Sequence, residues 1–285
     1  QGALIYRGFS LENFMNQMFS NEKDLGKGRQ MPIHYGSAEL NYMTISSPLG
    51  TQIPQAAGYA YGQKLEGKDA VTICYFGEGA ASEGDFHAGL NMAAVHKAPV
   101  IFFCRNNGYA ISTPSDEQYV GNGIASRGVG YGMKTMRIDG NDILAVLKAV
   151  QLARKHAVEH SEPVLIEAMS YRLGAHSTSD DPSGYRTREE EAKWHAHDPI
   201  SRMKSWMIAQ GWWTEEQDTE TFETMREDVL AAVKVAEKID KPPLEDLVSD
   251  VYDEVPPHLQ AQYEAVKEHI KKYPEAYPFT AGRIK

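Results

Sequence analysis

The chain alternates short, wholly apolar runs with longer segments that are apolar on one face only. Two of the runs, Val71–Phe76 and Val100–Cys104, have the length and the β-branched and aromatic content typical of buried strands. The segment between them, about residues 82–96, is predicted to be a helix. Its apolar stripe consists of Phe86, Leu90, Ala93 and Ala94. Because a helical crossover joins parallel strands, the two runs are predicted to lie in one parallel sheet.

The same alternation continues further along the chain. Thr135–Ile138 and Pro163–Ala168 are predicted strands, and the segment that separates them is predicted to contain a helix. The apolar positions of that helix, spaced i, i+3, i+4 and i+7, are Ile143, Val146, Leu147 and Val150. Strands that alternate with helices indicate an α/β fold with a doubly wound, mostly parallel sheet.

The two ends of the chain are predicted to be helical. Ser10 stands where an N-cap would begin the first helix. After the last predicted strand and its loop, the sequence becomes charged and has helical spacing, and Pro242-Pro243 marks a linker. We therefore predict one α/β domain over residues 1–240, and a linker with a helical C-terminal tail over residues 241–285.

Composition and charge narrow the possible functions. The 285 residues carry a net charge of −10, which argues against general binding to nucleic acid or to an anionic membrane. No apolar stretch reaches the roughly 18 residues of a membrane span. The two cysteines, Cys74 and Cys104, lie inside the apolar runs, and we expect them to be buried free thiols in a reducing, intracellular compartment.

Polar turns follow the first two apolar runs, at the point where each run ends. Glu78 lies between two glycines after the first run, and Asn107 follows the second. Because ligands bind at the carboxyl edge of open α/β sheets, we expect these two side chains to converge there. Carboxylate and amide oxygens suit Mg²⁺ that holds a phosphorylated cofactor. Taken alone, Glu78 could be an acidic residue near a helix N-terminus and Asn107 a turn former, but their joint placement favours the metal.

Other cofactor classes fit the sequence less well. After Gly77 and Gly79, Ser82 stands where the dinucleotide fingerprint G-x-G-x-x-G requires its third glycine. No G-x-x-x-x-G-K-[ST] loop occurs in the sequence. Nicotinamide, flavin and P-loop nucleotide sites are therefore disfavoured.

Longer stretches of sequence carry a family resemblance. The two turns together closely resemble the Mg²⁺–thiamine diphosphate motif, in which the acidic residue is more often Asp. The stretches that extend the resemblance are Ser46–Gln52, Cys74–Asp85, Arg105–Pro114 and Tyr171–Asp181. These stretches resemble the alpha subunit of the decarboxylating component of a 2-oxo acid dehydrogenase complex, and the resemblance covers nearly the whole chain. The last stretch is similar to the branched-chain type of this subunit. The resemblance implies a sheet of the thiamine-diphosphate-binding type.

The resemblance also implies a set of site residues. It implies that Mg²⁺ is bound by Glu78, Asn107 and the backbone carbonyl of Tyr109. The implied contacts with thiamine diphosphate are Tyr6, Arg7, Ser47, Leu49, Gly79, Ala80, Arg105 and His176. An implied potassium site, which their oxygen-rich composition suits, consists of Ser46, Pro48, Thr51 and Gln52.

His176 and Ser177 lie in a long polar loop, Tyr171–Arg186. A histidine in such a loop is often only solvated surface, but this loop leaves a strand at the ligand-binding edge, and imidazole exchanges protons near neutral pH. The resemblance implies that His176 serves acyl transfer to a lipoyl group and that Ser177 matches a regulatory phosphorylation site of animal members. Ala175 stands where the family often has a second histidine.

The activity that the resemblance implies is oxidative decarboxylation of branched-chain 2-oxo acids with reductive acylation of a lipoyl group. The implied partners are a beta subunit in an α₂β₂ heterotetramer, the lipoyl domain and core of an acyltransferase component, and a small 2-oxo acid substrate. Nucleic acid and membranes are not expected partners. Two alternatives stay open, a pyruvate or acetoin dehydrogenase alpha subunit and a catalytically silent cofactor-binding scaffold. The expected compartment is the cytoplasm of a bacterium or the mitochondrial matrix of a eukaryote.

Overall fold

The computed structural model describes residues 1–278, which form two compact units. The first unit comprises Gln1–Ser47 and the described part of Glu215–Lys285, and the second comprises Pro48–Thr214. The predicted division at residue 240 remains a prediction. Residues 279–285 of the predicted tail lie outside the described residues.

The described residues form more helices than strands. In chain order the α-helices are α1 (Gly2–Tyr6), α2 (Leu11–Phe19), α3 (Gln52–Leu65), α4 (Gly84–Val95), α5 (Ser115–Gln118), α6 (Ala125–Gly130), α7 (Ile143–His160), α8 (Arg188–His195), α9 (Pro199–Ala209), α10 (Glu215–Ala236) and α11 (Pro257–Lys272). Short 3₁₀ helices span Ala80–Ser82, Pro182–Gly184, Leu244–Leu247 and Pro274–Ala276. The strands are β1 (Thr72–Gly77), β2 (Val100–Asn106), β3 (Tyr109–Ala110), β4 (Thr113–Pro114), β5 (Lys134–Asp139) and β6 (Val164–Met169). Among residues 1–278, no helix combines the length and apolar composition needed to cross a membrane.

The sheet of the second unit has four parallel strands in the order β1-β2-β6-β5. Its register places Gly77 beside Arg105 and Arg105 beside Ala168. The segments that follow β1 and β2 therefore leave the sheet at the same edge, as predicted. A short antiparallel hairpin, β3-β4, follows β2 directly.

Helices cover both faces of this sheet. Phe102 and Cys104 of β2 belong to a buried cluster that includes residues of α3 and α4. Ile101 and Phe103, which point to the other face, pack in a second cluster with Ala149 of α7. The predicted doubly wound α/β fold is therefore confirmed. Both cysteines are buried and free, also as predicted.

The buried positions of α7 are Ala149, Ala153 and Ala157. Of the apolar positions that the helical spacing identified, Val146 and Val150 pack against the cluster on this face of the sheet, whereas Ile143 and Leu147 are about half exposed. The spacing therefore identified the helix correctly, and the tertiary contacts show that alanines form the buried part of its packed face.

The first unit has its own apolar core. Leu4, Phe9, Phe14 and Tyr35 are buried together, and the Phe14 and Tyr35 rings meet edge to face with centroids 4.6 Å apart. The Ser10 hydroxyl accepts a hydrogen bond from the Asn13 backbone N–H and caps α2, which confirms the predicted N-cap.

Ion pairs tie an early loop of the first unit to its C-terminal segment. Lys27 Nζ lies 3.0 Å from carboxylate oxygens of both Asp246 and Asp250, and Arg29 Nη1 lies 2.9 Å from Asp250. Hydrogen bonds from Arg29 and Lys27 lower the pKa of Asp250 to about 2, against an ordinary value of 3.8. A carboxyl whose pKa is lowered by folding stabilises the fold above its unfolded pKa and loses that contribution as the pH falls through its folded pKa.

We expect Asp250→Asn to lower the stability of the protein at about pH 5 and above, and to have a steadily smaller effect as the pH falls from about 4 towards 2. Urea unfolding at several pH values would measure the difference between variant and wild type. Asp253→Asn, which changes a nearby exposed carboxylate, is the matched control. A difference that stayed constant over this range would contradict the assigned ion pairs.

Candidate active site at the carboxyl edge of the sheet

Glu78 and Asn107 meet at the carboxyl edge of the sheet. Glu78 follows β1 and Asn107 follows β2, and these two strands are hydrogen-bonded neighbours. The Asn107 backbone N–H donates to Glu78 Oε2 at 3.0 Å. The Glu78 side chain is only 1% exposed, so this charge is withdrawn from water.

One oxygen of the Glu78 carboxylate lacks a hydrogen-bond partner among residues 1–278. Oε1 is buried and accepts no hydrogen bond from the described residues. Burial raises the pKa of Glu78, and the hydrogen bond from Asn107 and the charge of Arg172 offset this only in part. A buried carboxylate oxygen without a partner is costly unless a cation neutralises it. The side chain therefore fits a metal ligand better than it fits a purely structural role.

The turn after β2 presents two further oxygens. Asn107 Oδ1 accepts a hydrogen bond from the Tyr109 N–H at 3.1 Å, and the Tyr109 carbonyl accepts one from Arg172 Nη1 at 3.3 Å. No group of three or more His, Cys, Asp or Glu side chains within residues 1–278 is placed to hold a metal. A metal at this edge would therefore be bound by a mixed set of one carboxylate, one amide and one carbonyl oxygen, as Mg²⁺ allows.

Gly79 must be a glycine because the chain passes very close to the β3-β4 hairpin. A Cβ atom at Gly79 would lie 2.9 Å from the Cβ of Ala110. Ala80 follows in a short 3₁₀ helix and is buried. Close packing against Ala110 therefore accounts for the absence of a side chain at Gly79.

Gly79→Ala is expected to destabilise the protein by about 1–3 kcal/mol, because the new methyl group overpacks the contact with Ala110. It should also weaken binding at the predicted site for Mg²⁺ and thiamine diphosphate, since the turn that carries Glu78 must shift. Thermal unfolding and calorimetric titration would measure the two effects. Gly84→Ala is the control, because a Cβ at Gly84 meets nothing within 4 Å; equal effects of the two substitutions would contradict the packing argument.

The remaining predicted residues of the second unit that bear on the site lie on β2, in the turn before α3 and at the start of α3. Arg105 is exposed on β2, and Leu49 is exposed in the turn before α3. The Pro48 carbonyl accepts a hydrogen bond from the Thr51 hydroxyl at 3.0 Å. Gln52 Oε1 is buried and, among the described residues, has no hydrogen-bond partner. An unpaired amide oxygen next to this turn is compatible with the predicted cation site.

The other predicted residues belong to the first unit. Ser47 Oγ is hydrogen-bonded to His34 Nε2, and the Arg7 guanidinium donates to the Leu40 carbonyl. Tyr6 is almost fully exposed. Ser46 also lies in this unit. His34 was not identified from the sequence, because it lies 13 residues from Ser47 and no local spacing relates the two residues.

Hydrogen bonds organise the polar loop that carries His176. Asp180 Oδ2 accepts from the His176 backbone N–H and from the Tyr185 hydroxyl, each at 2.7 Å. Arg172 Nη2 donates to the Tyr185 hydroxyl at 2.9 Å, and Arg172 also contacts the Tyr109 carbonyl. The loop is therefore linked directly to the turn of the candidate metal site. The His176 imidazole itself is exposed, and Ser177 Oγ lies 3.3 Å from Ser179 Oγ.

A buried arginine at the end of this loop contacts the residues at its beginning. The Arg186 side chain is fully buried, forms an ion pair with Glu191 at 2.9 Å and donates to the carbonyls of Arg172 and Gly174. Its guanidinium also lies 5.3 Å from the centre of the Tyr171 ring. Of the residues in this loop, His176 and Ser177 were assigned roles from the sequence, and the buried arginine and its partners were not. Their signal was the concentration of arginine, aspartate and tyrosine directly after a buried strand.

Comparison with known proteins shows the family of this chain. Residues 1–245 match the protein family described as Dehydrogenase E1 component. The chain is 56% identical over 279 residues to "2-oxoisovalerate dehydrogenase subunit alpha, mitochondrial" of Dictyostelium discoideum, covering 97% of this chain and 63% of that protein. Identity to the subunit of the same name from Homo sapiens is 55% over 278 residues, covering 97% and 62%. The chain thus spans somewhat less than two thirds of the length of these relatives. It belongs to the dehydrogenase E1 component family.

Proposed function

We propose that this chain is the alpha subunit of a thiamine-diphosphate-dependent dehydrogenase that acts on branched-chain 2-oxo acids. The observation that carries the proposal is the buried Glu78 carboxylate beside Asn107 at the edge of the sheet, with one oxygen that no described residue pairs. The names of the relatives support the substrate class, since they are described as 2-oxoisovalerate dehydrogenase alpha subunits.

Glu78, Asn107 and the Tyr109 carbonyl would hold Mg²⁺ on the diphosphate. A divalent ion is required there because the diphosphate brings two to three negative charges to an edge that already carries a buried carboxylate. At an effective dielectric of about 20, unit charges some 4 Å apart interact by roughly 4 kcal/mol. When bound, thiamine diphosphate supplies the nucleophile and electron sink for decarboxylation. The proposed protein contacts with this cofactor are Tyr6, Arg7, Ser47, Leu49, Gly79, Ala80, Arg105 and His176.

His176 would exchange a proton at an imidazole nitrogen while the acyl group passes to a lipoyl group. Its backbone is held by Asp180, whereas its ring is exposed, so the loop fixes the residue and leaves the imidazole accessible. Ser177 follows directly. A phosphate on Ser177 would add nearly two negative charges close to Asp180 and would break the hydrogen bonds that order the loop.

The proposed assembly supplies the glutamate that activates the aminopyrimidine ring of the cofactor. No glutamate in the motif of this chain is assigned to activate the aminopyrimidine ring, and we propose that a beta subunit provides it in an α₂β₂ heterotetramer. The lipoyl domain and core of an acyltransferase would receive the product. Ser46, Pro48, Thr51 and Gln52 are the proposed potassium ligands. In a eukaryote the compartment would be the mitochondrial matrix, which fits the mitochondrial names of the relatives.

The test is reconstitution of the chain with its beta subunit, Mg²⁺ and thiamine diphosphate, followed by measurement of CO₂ release from a panel of 2-oxo acids. We expect faster release from 3-methyl-2-oxobutanoate than from pyruvate, and no release by the chain alone. Preference for pyruvate would refute the branched-chain assignment. Absence of CO₂ release from every substrate would favour the scaffold alternative instead.

A further inference from the structure

A second buried carboxylate, Glu167, lies in the middle of β6. Its side chain is fully buried, yet both oxygens are satisfied. Oε1 accepts from Asn106 Nδ2 at 2.8 Å and from the Ile124 N–H at 2.9 Å. Oε2 accepts from the Ala125 N–H at 2.8 Å and from Arg137 Nε at 2.9 Å. Glu167 is therefore an anion with four donors, in contrast to Glu78.

The backbone near Glu167 leaves room for its carboxylate because Gly123 has no side chain. Gly123 has a φ of +71°, and a Cβ atom there would lie 2.7 Å and 2.8 Å from the two carboxylate oxygens. Burial raises the pKa of Glu167, but the hydrogen bonds from Ala125, Ile124 and its other donors outweigh burial and lower the pKa overall. The carboxylate is thus ionised in the folded protein, which a residue that only filled space would not require.

The Asn106 side chain connects Glu167 to the turn of the candidate metal site. Asn106 Nδ2 also donates to the Tyr119 hydroxyl at 3.1 Å, and Asn106 Oδ1 accepts from the Gly108 N–H at 3.1 Å. Because the carboxylate attracts the NH₂ end of the amide, the oxygen end must face Gly108. Gly108 lies between Asn107 and Tyr109, so this one side-chain orientation fixes the turn that carries two of the proposed metal ligands.

The same contacts extend to the turn that carries Glu78. Arg127 donates to the Ala81 carbonyl at 2.6 Å, and its guanidinium lies 4.9 Å from the centre of the Tyr119 ring. Tyr119 in turn accepts the hydrogen bond from Asn106. The turns after β1 and β2 are therefore held by one connected set of side chains, whose anionic end is Glu167.

We propose that Glu167 is a positioning residue for the metal and diphosphate site, which acts through Asn106 to hold the Asn107–Tyr109 turn in its ligating geometry. This inference rests on the proposed function of that turn. A buried glutamate of purely structural importance would change stability when substituted, but it would have no specific effect on the affinity for metal. The two roles are therefore separable by experiment.

The experiment is calorimetric titration of Mg²⁺ into the assembled enzyme saturated with thiamine diphosphate, with thermal unfolding measured in parallel. Glu167→Gln is expected to weaken Mg²⁺ binding about tenfold, the equivalent of one hydrogen bond to a charged group. Ala153→Leu, which overpacks the opposite face of the sheet, is the control for lost stability. It should lower the unfolding temperature and leave the Mg²⁺ affinity unchanged.

An exchange of the amide at position 106 with the carboxylate at position 167 tests whether Glu167 acts through Asn106. Asn106→Asp places two carboxylates together and should weaken Mg²⁺ binding. Adding Glu167→Gln to Asn106→Asp lets an amide at 167 donate to a carboxylate at 106, and should recover part of the affinity. Should Glu167→Gln alone fail to fold, Asn106→Asp and the double variant decide the question on the same readouts.

Three outcomes are decisive. Weaker Mg²⁺ binding in Glu167→Gln, recovered in part by the double variant, supports the positioning role. Unchanged affinity despite a lowered unfolding temperature overturns it and leaves the proposed function intact. A wild-type enzyme that binds no Mg²⁺ would refute the proposed function itself, and this inference with it.

Discussion

Glu78→Gln is expected to reduce the affinity for Mg²⁺ with thiamine diphosphate by roughly two orders of magnitude or more, and to abolish CO₂ release. Loss of a charged partner in a buried site costs on the order of 3 kcal/mol, which corresponds to that factor. The amide oxygen of glutamine would still accept the hydrogen bond from the Asn107 N–H. The expected loss of Mg²⁺ affinity would therefore result from removal of the negative charge at the metal site, and not from a change in the fold.

The same substitution should stabilise the metal-free protein. Burial raises the pKa of Glu78 above its ordinary value of 4.5, so the folded state binds this proton more tightly than the unfolded state does. The resulting contribution to stability is fully present at low pH and is lost as the pH rises through the raised pKa, and Glu78→Gln should remove this decline. Urea unfolding without metal would measure it. Glu83→Gln, an exposed change in the same segment, is the control; a metal-free variant less stable than wild type at neutral pH would contradict the assignment.

Arg172→Met is expected to release the His176 loop and to lower the rate of acyl transfer to a lipoyl group by about 10- to 100-fold. The substitution removes hydrogen bonds to the Tyr109 carbonyl, the Ile111 carbonyl and the Tyr185 hydroxyl. Without them, Asp180 keeps only its local contacts with the loop. Activity assays with a lipoyl domain, and limited proteolysis of residues 171–186, would measure the two consequences.

The control for this prediction is Arg188→Met, which changes an exposed arginine at the start of α8. It should leave both proteolysis and acyl transfer unchanged. Phosphorylation of Ser177 is expected to resemble Arg172→Met in its effect, because it also disturbs the Asp180 contacts. If Arg172→Met left the loop as resistant to protease as wild type, the hydrogen bonds from Arg172 would not be what orders it.

Local patterns in the sequence were enough to predict the elements that carry the site. Two apolar runs that ended in polar turns predicted neighbouring parallel strands, because a connection of helical length joins them. The bounds moved by one or two residues, with β1 at Thr72–Gly77 and β2 at Val100–Asn106. Ser10 was predicted as a cap because capping depends on residues within one turn.

The sequence by itself thus determined the alternation of strands and helices, the edge at which Glu78 and Asn107 lie, and the family resemblance. Only the tertiary structure decided that, within the part of the chain that the structure describes, one Glu78 oxygen has no hydrogen-bond partner while both Glu167 oxygens are paired. The same holds for the Arg172 contacts with the Tyr109 turn and for the alanine face of α7. The physical reason is distance along the chain. Spacing and capping act over a few residues, whereas the burial of a charge and the choice of its partners depend on segments 30 to 61 residues apart.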